Sequence, residues 1–181
     1  SEALKRLEAE VDRLSGFLRT FHGFAAPQAI MGGPCRLGPV LEDVLFWTRK
    51  DARAQGIQFA LHGITELPLL WADAQQLKQV LLNLLINAIH AMPEGGRITV
   101  SASMELGKAR IDIADTGCGI APATVDRIFE PFFTTRREGS GLGLAIVRKI
   151  VAQHGGDIAV SSEPGHGSCF TLYWPIDKNS T

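Results

Sequence analysis

The sequence lacks several features that would place it in a broad class at once. Its 18 basic and 19 acidic residues leave a formal net charge of -1, so no overall positive field attracts nucleic acid or anionic lipid. Only three cysteines are present, at distant positions, which argues against a disulfide framework or a cysteine metal cluster and fits a reducing compartment. No apolar run approaches the roughly 20 residues of a membrane-spanning helix. We therefore expect a cytoplasmic chain without nucleic-acid or membrane contacts, any membrane anchor of its parent protein lying outside it.

The first 24 residues carry a narrow apolar stripe in a charged background. Its members are spaced alternately by three and four residues, which is typical of a heptad helix. Such a seam needs a second helix, although the alternative is a helix that lies on the domain that follows. Glycines and prolines between residues 27 and 34 interrupt the pattern, so we predict one unit over residues 1–33 and another over residues 34–181. The stripe consists of Leu4, Leu7, Val11, Leu14, Leu18 and Phe21.

Helix and strand patterns are interleaved after residue 37, without internal repeats. Asp73 is a plausible N-cap for a long helix, and proline and glycine end that helix after residue 92. Alternating apolar residues predict strands, two of which are joined by a hairpin turn at residues 105–108. The fold class expected is α+β, a two-layer sandwich of a mixed β-sheet and α-helices. We expect a short helix from residue 37, a long one over 74–92 and a third ending near 155, with strands near 57–61, 68–71, 97–103, 109–114, 157–161 and 169–174.

Four uncharged polar side chains form a line on the long helix. Gln79, Asn83, Asn87 and His90 follow one another at spacings of 4, 4 and 3, while the other side of the helix is apolar. The simplest interpretation is a solvated helix face. Amide oxygens in so apolar a segment also suit the coordination of a hard cation, so a metal-binding role stays open.

The segment DTGCGI at residues 115–120 places a carboxylate at the end of an apolar strand. Gly117 and Gly119 permit a tight turn and close approach of a ligand. Asp115 could then accept a hydrogen bond from an exocyclic amine such as that of adenine, although the segment could also simply turn a loop. Cys118 within the turn is interpreted as a neutral filler, unless its thiol is exposed.

A second glycine cluster, GSGLGLAIV, follows at residues 139–147. Backbone amides at the start of a helix, freed from side-chain crowding, can bind an anion. Neither the dinucleotide-binding fingerprint nor a P-loop is present. The preceding residues 129–139, FEPFFTTRREG, suggest a lid whose arginines reach phosphates, although Arg136 and Arg137 could equally be a solvated pair.

Taken in this order, the segments resemble the ATP-binding catalytic domain of sensor histidine kinases, within the gyrase, Hsp90, histidine kinase and MutL superfamily. QVLLNLLINAIHAM resembles the N box, DTGCGI the G1 box, FEPFF the F box and GSGLGLAIV the G2 box. A short lid after PFFTT is similar to that of the nitrogen-regulation type. The resemblance covers almost the whole chain and implies a Bergerat-type fold with ATP and Mg²⁺ between the long helix and the lid.

The resemblance also implies roles for individual residues. Asn87 would hold Mg²⁺, Asp115 would bind the adenine amine, and Arg136 would act on the phosphates from the lid. Hydrolases of the superfamily carry a glutamate where this chain has Asn83, and an amide cannot activate water, so Asn83 indicates phosphoryl transfer. The implied ATP contacts are Asn83, Asn87, His90, Asp115, Gly117, Gly119, Ile120, Thr135, Arg136, Gly139, Ser140, Gly141, Leu142, Gly143 and Leu144, with Asn83 and Arg136 as catalytic residues.

The function implied is that of a bacterial two-component histidine kinase. His22 has Pro27 at a suitable distance, but Gly23 stands where the family has an acidic residue, so we predict that His22 is not the phosphoacceptor. Residues 1–33 would then be the second helix of a dimerisation hairpin whose acceptor helix is absent, and this fragment would not phosphorylate itself. Expected partners are that acceptor helix, a response regulator receiver domain and a second copy bound through the N-terminal helix.

Two alternatives share the same pocket. A superfamily ATPase or an anti-sigma serine kinase would bind ATP in the same way, although Asn83 argues against hydrolysis. A non-enzymatic, nucleotide-gated interaction module would bind ATP without transferring phosphate.

Overall fold

A five-stranded mixed β-sheet forms one layer of the fold, and helices cover one of its faces. The computed structural model describes residues 29–136 and 139–177, so the predicted N-terminal stripe and His22 lie outside the described residues. The predicted α+β sandwich is confirmed. In chain order the elements are β1 (Gly33–Cys35), α1 (Leu37–Ala54), β2 (Ile57–His62), β3 (Leu70–Ala72), α2 (Ala74–His90), β4 (Gly96–Glu105), β5 (Lys108–Asp115), α3 (Pro122–Val125), α4 (Gly143–Gln153), β6 (Asp157–Glu163) and β7 (Gly167–Pro175).

The strand order in the large sheet is β2-β4-β5-β7-β6. β2 runs parallel to β4, and the remaining neighbours are antiparallel. The predicted hairpin between β4 and β5 turns through Leu106 and Gly107, whose φ angles of 49° and 77° match a two-residue turn of the type that follows the twist of the strands. The register places Ile98, Asp115, Ser168 and Ser162 in one row across four strands at one end of the sheet.

The core lies between this sheet and the helices. One face of β4, β5 and β7 carries buried apolar side chains at every second position, as the period of a strand requires. The predicted apolar side of α2 packs against that face and is buried throughout: Val80, Leu81, Leu84, Leu85 and Ala88 are at most 4% exposed. Asp115 falls on the same face as the buried residues of β5, so the strand directs its carboxylate towards the helices.

Hydrogen bonds join α2 to both ends of α4. Asp73 caps α2 as predicted, since its Oδ1 accepts hydrogen bonds from the amides of Gln75 and Gln76 at 3.0 and 3.2 Å. The Asp73 amide donates to His154 Nε2 at 3.1 Å, at the C-terminal end of α4. At the N-terminal end of α4, the Gly143 carbonyl accepts a hydrogen bond at 3.3 Å from Asn83 Nδ2, in the middle of α2. The two helices are therefore antiparallel, and the start of α4 is held beside the middle of α2.

Two elements differ from the sequence-based expectation. α1 runs for 18 residues rather than forming a short helix, because nothing after Pro39 breaks it before Gly56. Trp47 of this helix is 68% exposed. β1 is not predicted, because glycine and proline there indicate only a break; the strand forms because β3 lies beside it. It spans the predicted boundary between residues 33 and 34, and that boundary stays a prediction.

Within the described residues, no helix combines the length and the apolar character that crossing a bilayer requires.

Candidate functional site

A cavity of about 350 Å³ opens between the C-terminal half of α2, the turn after β5 and the segment that leads into α4. Its size falls in the range of small-molecule sites. Many of the residues singled out in the sequence meet there although they come from three separate segments. Those that line the cavity are Asn87, His90, Asp115, Gly119, Ile120, Thr135, Arg136, Gly141, Gly143 and Leu144.

Asp115 is the buried carboxylate of the cavity, with 7% of its surface exposed. Its Oδ1 accepts a hydrogen bond from the Gly117 amide at 2.8 Å, and the Ser168 amide also donates to the carboxylate. Burial raises the pKa of Asp115, while these two amides oppose the rise. The carboxylate is thus oriented by backbone donors and keeps acceptor capacity towards the cavity.

The glycines of the DTGCGI turn allow it to pack closely against its neighbours. A Cβ on Gly117 would lie 2.5 Å from the Ala91 carbonyl oxygen, and the Cys118 amide donates to that oxygen at 3.0 Å. Gly119 has φ 68°, and a Cβ there would overlap the Glu163 carbonyl. Gly119 lines the cavity whereas Gly117 does not, so Gly117 shapes the site by letting the turn rest on the end of α2.

The polar line on α2 divides into residues with different environments. Asn87 lines the cavity, and its side chain makes no hydrogen bond to the described part of the chain, so its amide oxygen is available to a ligand. Asn83 does not line the cavity, because its amide group is used on Gly143. The pKa of His90 is lowered, first by desolvation and then by the positive charge of Arg136, although Asp51 opposes the shift. His90 is therefore a neutral imidazole at neutral pH, at the rim of the cavity.

The predicted lid begins with aromatic residues that hold it in place. The Arg127 guanidinium lies 4.5 Å from the centre of the Phe133 ring, within the distance of a cation–π contact. Thr134 then orders the next turn, since its Oγ1 accepts a hydrogen bond from the Arg136 amide at 3.0 Å. The Arg136 side chain makes no ion pair with a carboxylate of residues 29–136 or 139–177, and it lines the cavity. Arg137 lies outside the described residues.

The second glycine cluster contacts the first residues of the predicted lid at the edge of the cavity. Gly141 has φ 67°, and its carbonyl accepts a hydrogen bond from the Phe132 amide at 2.9 Å. The Ser140 hydroxyl accepts from the Leu142 amide at 3.3 Å, and Leu142 is fully buried. Of the predicted nucleotide contacts, Asn83, Gly117, Gly139, Ser140 and Leu142 do not line the cavity.

Sequence reasoning missed part of the lining. Ser168 and Phe170 of β7 face the cavity, because they share the inner face of the sheet with Asp115 and Ile113 of β5. Alternation along β7 could have shown that these two residues share a face, but only the strand register places that face beneath the glycine turn. Other lining residues outside the predicted set are Ala91, Cys118, Ala121, Thr124, Ile128, Phe133 and Thr134.

Comparison with known proteins places this geometry in a family. The family model described as histidine kinase-, DNA gyrase B- and HSP90-like ATPase matches residues 72–178. The sensor histidine kinase ZraS of Escherichia coli (strain K12) is 40% identical over 168 residues, which cover 93% of this chain and 36% of ZraS. The chain thus spans little more than a third of the length of that relative.

Two solved structures are similar over essentially the whole chain. Full-length ShkA in complex with AMPPNP has a TM-score of 0.80 at 34% identity, covering 99% of this chain and 38% of ShkA. The histidine kinase ThkA in complex with the response regulator TrrA has a TM-score of 0.81 at 27% identity, covering 100% of this chain and 52% of ThkA.

Proposed function

The chain belongs to the family of histidine kinase-, DNA gyrase B- and HSP90-like ATPases, and on that premise we propose that it is the ATP-binding catalytic part of a two-component sensor histidine kinase. It binds MgATP and transfers the γ-phosphoryl group to a histidine on a helix that this sequence does not contain. The observation that carries the proposal is the meeting of Asp115, Asn87 and Arg136 at one cavity, each with chemistry suited to a different part of the nucleotide.

Asp115 binds the base in this proposal. A buried carboxylate that is already oriented by two amides offers its remaining lone pairs to a donor such as the adenine amine. Because these donors belong to the backbone, the carboxylate stays in place when the cavity is empty. Little reorganisation is then needed on binding.

Asn87 and the lid act at the phosphates. The donor set fits a magnesium polyphosphate, since the Asn87 amide has no partner within the described residues and amide oxygens are among the ligands of hard cations. Mg²⁺ supplies charge neutralisation on the phosphates. Arg136, which has no carboxylate partner among the described residues, adds a second positive charge, and neutral His90 can donate a hydrogen bond.

Asn83 supports transfer rather than hydrolysis. Its amide has no useful basicity, so it cannot activate a water molecule as the glutamate of the family's hydrolases does. The hydrogen bond from Asn83 to Gly143 instead holds the start of α4 beside α2. We propose that Asn83 contributes to catalysis through this positioning of the glycine cluster, rather than as an acid or base.

The partners follow from the same proposal. ThkA was solved with a response regulator, and we propose that a receiver domain of that class accepts the phosphoryl group relayed by the parent of this chain. The acceptor helix of the parent kinase and a second copy bound through the N-terminal helix would complete the reaction assembly, in the cytoplasm.

A single-turnover experiment with γ-labelled MgATP tests the proposal. We expect the chain alone to bind ATP and leave its label in place, and an added helical hairpin carrying an acceptor histidine to become labelled. Release of the label as inorganic phosphate would instead support the ATPase alternative. Label on the chain itself would contradict the prediction that His22 is not an acceptor.

Replacing Asn87 by alanine should remove the magnesium-dependent part of ATP binding. With EDTA present, wild type and variant should bind ATP with similar affinity, whereas with Mg²⁺ the variant should bind about tenfold more weakly. Isothermal titration with and without Mg²⁺ measures the difference. Ile86→Ala is a matched control on the same turn of α2, because Ile86 is exposed and does not line the cavity. An equal loss with EDTA would contradict the assignment of Asn87 to the metal.

Cys118 should report nucleotide binding through its reactivity. It is exposed and lines the cavity, whereas burial raises the pKa of both Cys35 and Cys169 and leaves less thiolate on them. We expect iodoacetamide to alkylate Cys118 first, and saturating MgATP to slow this step about tenfold or more. Mass spectrometry of timed samples measures both rates. Unchanged alkylation with MgATP bound would contradict the placement of the nucleotide against this turn.

A further inference from the structure

Ser162 of β6 links the sheet to the end of the cavity where Asp115 is proposed to bind the nucleotide base, called the base end below. It lies on the half-buried side of the strand, in line with Ile158 and Val160, where an apolar residue would be expected. Its hydroxyl oxygen accepts a hydrogen bond from the Ile120 amide at 2.8 Å, lies 2.9 Å from the Gly167 carbonyl oxygen and 3.0 Å from Ser168 Oγ. One small side chain thus joins the end of the DTGCGI turn to the β6–β7 hairpin.

Only one arrangement of protons makes all three of these contacts hydrogen bonds at once. A hydroxyl has one proton and two lone pairs, whereas the Gly167 carbonyl can only accept. Ser162 therefore donates to Gly167 and accepts from the Ile120 amide. Its second lone pair is left to accept the proton of Ser168. Ser168 then has no proton to offer and presents only acceptor lone pairs to the cavity that it lines.

Ser168 lies beside Asp115 in the cavity lining, so the direction of its hydrogen bond affects which ligands the cavity can bind. Ser168 is 7% exposed and lies directly opposite Asp115 in the β5–β7 register. The backbone amides of Gly117 and Ser168 both donate hydrogen bonds to the Asp115 carboxylate, so neither is available to a ligand. The side chains at the base end of the cavity therefore present a carboxylate and an acceptor hydroxyl. Such an end favours a ring substituent that donates hydrogen bonds and disfavours one that only accepts.

We infer that Ser162 is a positioning residue for nucleotide selectivity: by holding the Ile120 amide and the proton of Ser168, it makes the base end of the cavity select a 6-amino purine over a 6-oxo purine. This rests on the proposed function, since it concerns the base of the ATP that Asp115 binds. Ser162 lies behind Ser168 and does not line the cavity.

The test measures the affinities of ATP and inosine triphosphate for the full chain, because the two nucleotides carry an amino and an oxo group, respectively, at the 6-position of the base. In Ser162→Ala the proton of Ser168 is released and can turn into the cavity to meet a 6-oxo group. We expect ATP binding to weaken about threefold to tenfold while inosine triphosphate binding is unchanged or tighter, so that the selectivity ratio falls. Ser162→Thr keeps the hydroxyl on a residue that suits a strand and should restore the ratio.

Two further variants separate selectivity from general damage. Ser161→Ala changes the exposed neighbour on the other face of β6 and should leave both affinities unchanged. In a Ser168→Ala background, adding Ser162→Ala should change the ratio little, because the two hydroxyls act as one unit. An equal weakening of both nucleotides by Ser162→Ala, in a chain that binds ATP, would overturn the inference alone. Failure of the wild-type chain to bind ATP would overturn the proposed function instead.

Discussion

Replacing Asp115 by asparagine is expected to weaken MgATP binding by about 1.5–3 kcal/mol, which corresponds to about 10- to 150-fold. The carboxylate accepts from the amides of Gly117 and Ser168 and retains acceptor capacity for the adenine amine. An asparagine side chain has only one oxygen, so its NH₂ group must face either one of the two backbone amides or the adenine amine. Either the turn or the nucleotide then loses a charge-assisted hydrogen bond. Isothermal titration with ATP measures the loss.

The same substitution is expected to leave thermal stability equal or higher. Burial raises the pKa of Asp115, so the folded state binds its proton more tightly than the unfolded chain does. The stabilisation from this protonation is present below the unfolded pKa and is lost as pH rises through the folded pKa. At neutral pH the buried charge therefore costs stability, so removing it should leave the melting temperature equal or higher while ATP binding is weakened.

Asp112→Asn is the matched control, on the same strand but on the opposite face. Asp112 accepts hydrogen bonds from Arg110 and from the Thr171 hydroxyl and does not line the cavity. The Asp112→Asn variant should therefore be less stable than the wild type but bind nucleotide equally well. A further check is pH: ATP binding by the wild type should weaken as pH falls through the raised pKa of Asp115, and Asp115→Asn should abolish this dependence. Unchanged ATP affinity in Asp115→Asn would contradict the placement of the base.

Replacing Gly141 by alanine should have the largest effect of any single change in the second glycine cluster. Gly141 has φ 67°, and an added Cβ would lie 2.7 Å from both the Cα and the carbonyl oxygen of Phe132. Backbone atoms cannot move aside as a flexible side chain can. The segment that contains Gly141 must therefore move away from the one that contains Phe132. The 2.9 Å hydrogen bond from the Phe132 amide to the Gly141 carbonyl would then be lost. We expect ATP affinity to fall by about a hundredfold, equivalent to about 2.7 kcal/mol.

Gly155→Ala separates the effect of the backbone conformation from that of the close contact. Gly155 has φ 74°, but a Cβ there would meet nothing within 4 Å. The control should lose about 1–2 kcal/mol of stability from the left-handed conformation alone and should bind ATP normally. Thermal unfolding and ATP titration of both variants measure the two effects. Equal behaviour of the variants would show that the contact between Gly141 and Phe132 does not support the site.

Local patterns were sufficient to predict most elements of the fold. The apolar side of α2 and its Asp73 cap follow from the 3.6-residue period and from the hydrogen bonds that a carboxylate offers to the first amides of a helix. The hairpin between β4 and β5 follows from alternation and from a turn that contains Gly107. These features depend on residues near one another in the chain, so the sequence alone was informative.

Contacts between distant segments could not be predicted in this way. β1 is too short to be identified without β3 beside it. Asn83 and Asn87 look equivalent on the helix, yet the first holds the Gly143 carbonyl and the second faces the cavity. The difference arises because α4 packs against one part of α2 and leaves the next turn open.

By itself the sequence determined which chemical groups this protein has available: the amides of α2, the carboxylate at the end of β5, and the glycines that permit left-handed turns. Spacing along a helix and alternation along a strand are local properties, so the sequence pattern alone assigns these groups to their elements. Only the tertiary structure decided which of them meet. The strand register brought Ser162 and Ser168 into line with Asp115, and helix packing turned Asn83 towards Gly143, because both depend on how distant segments fit together.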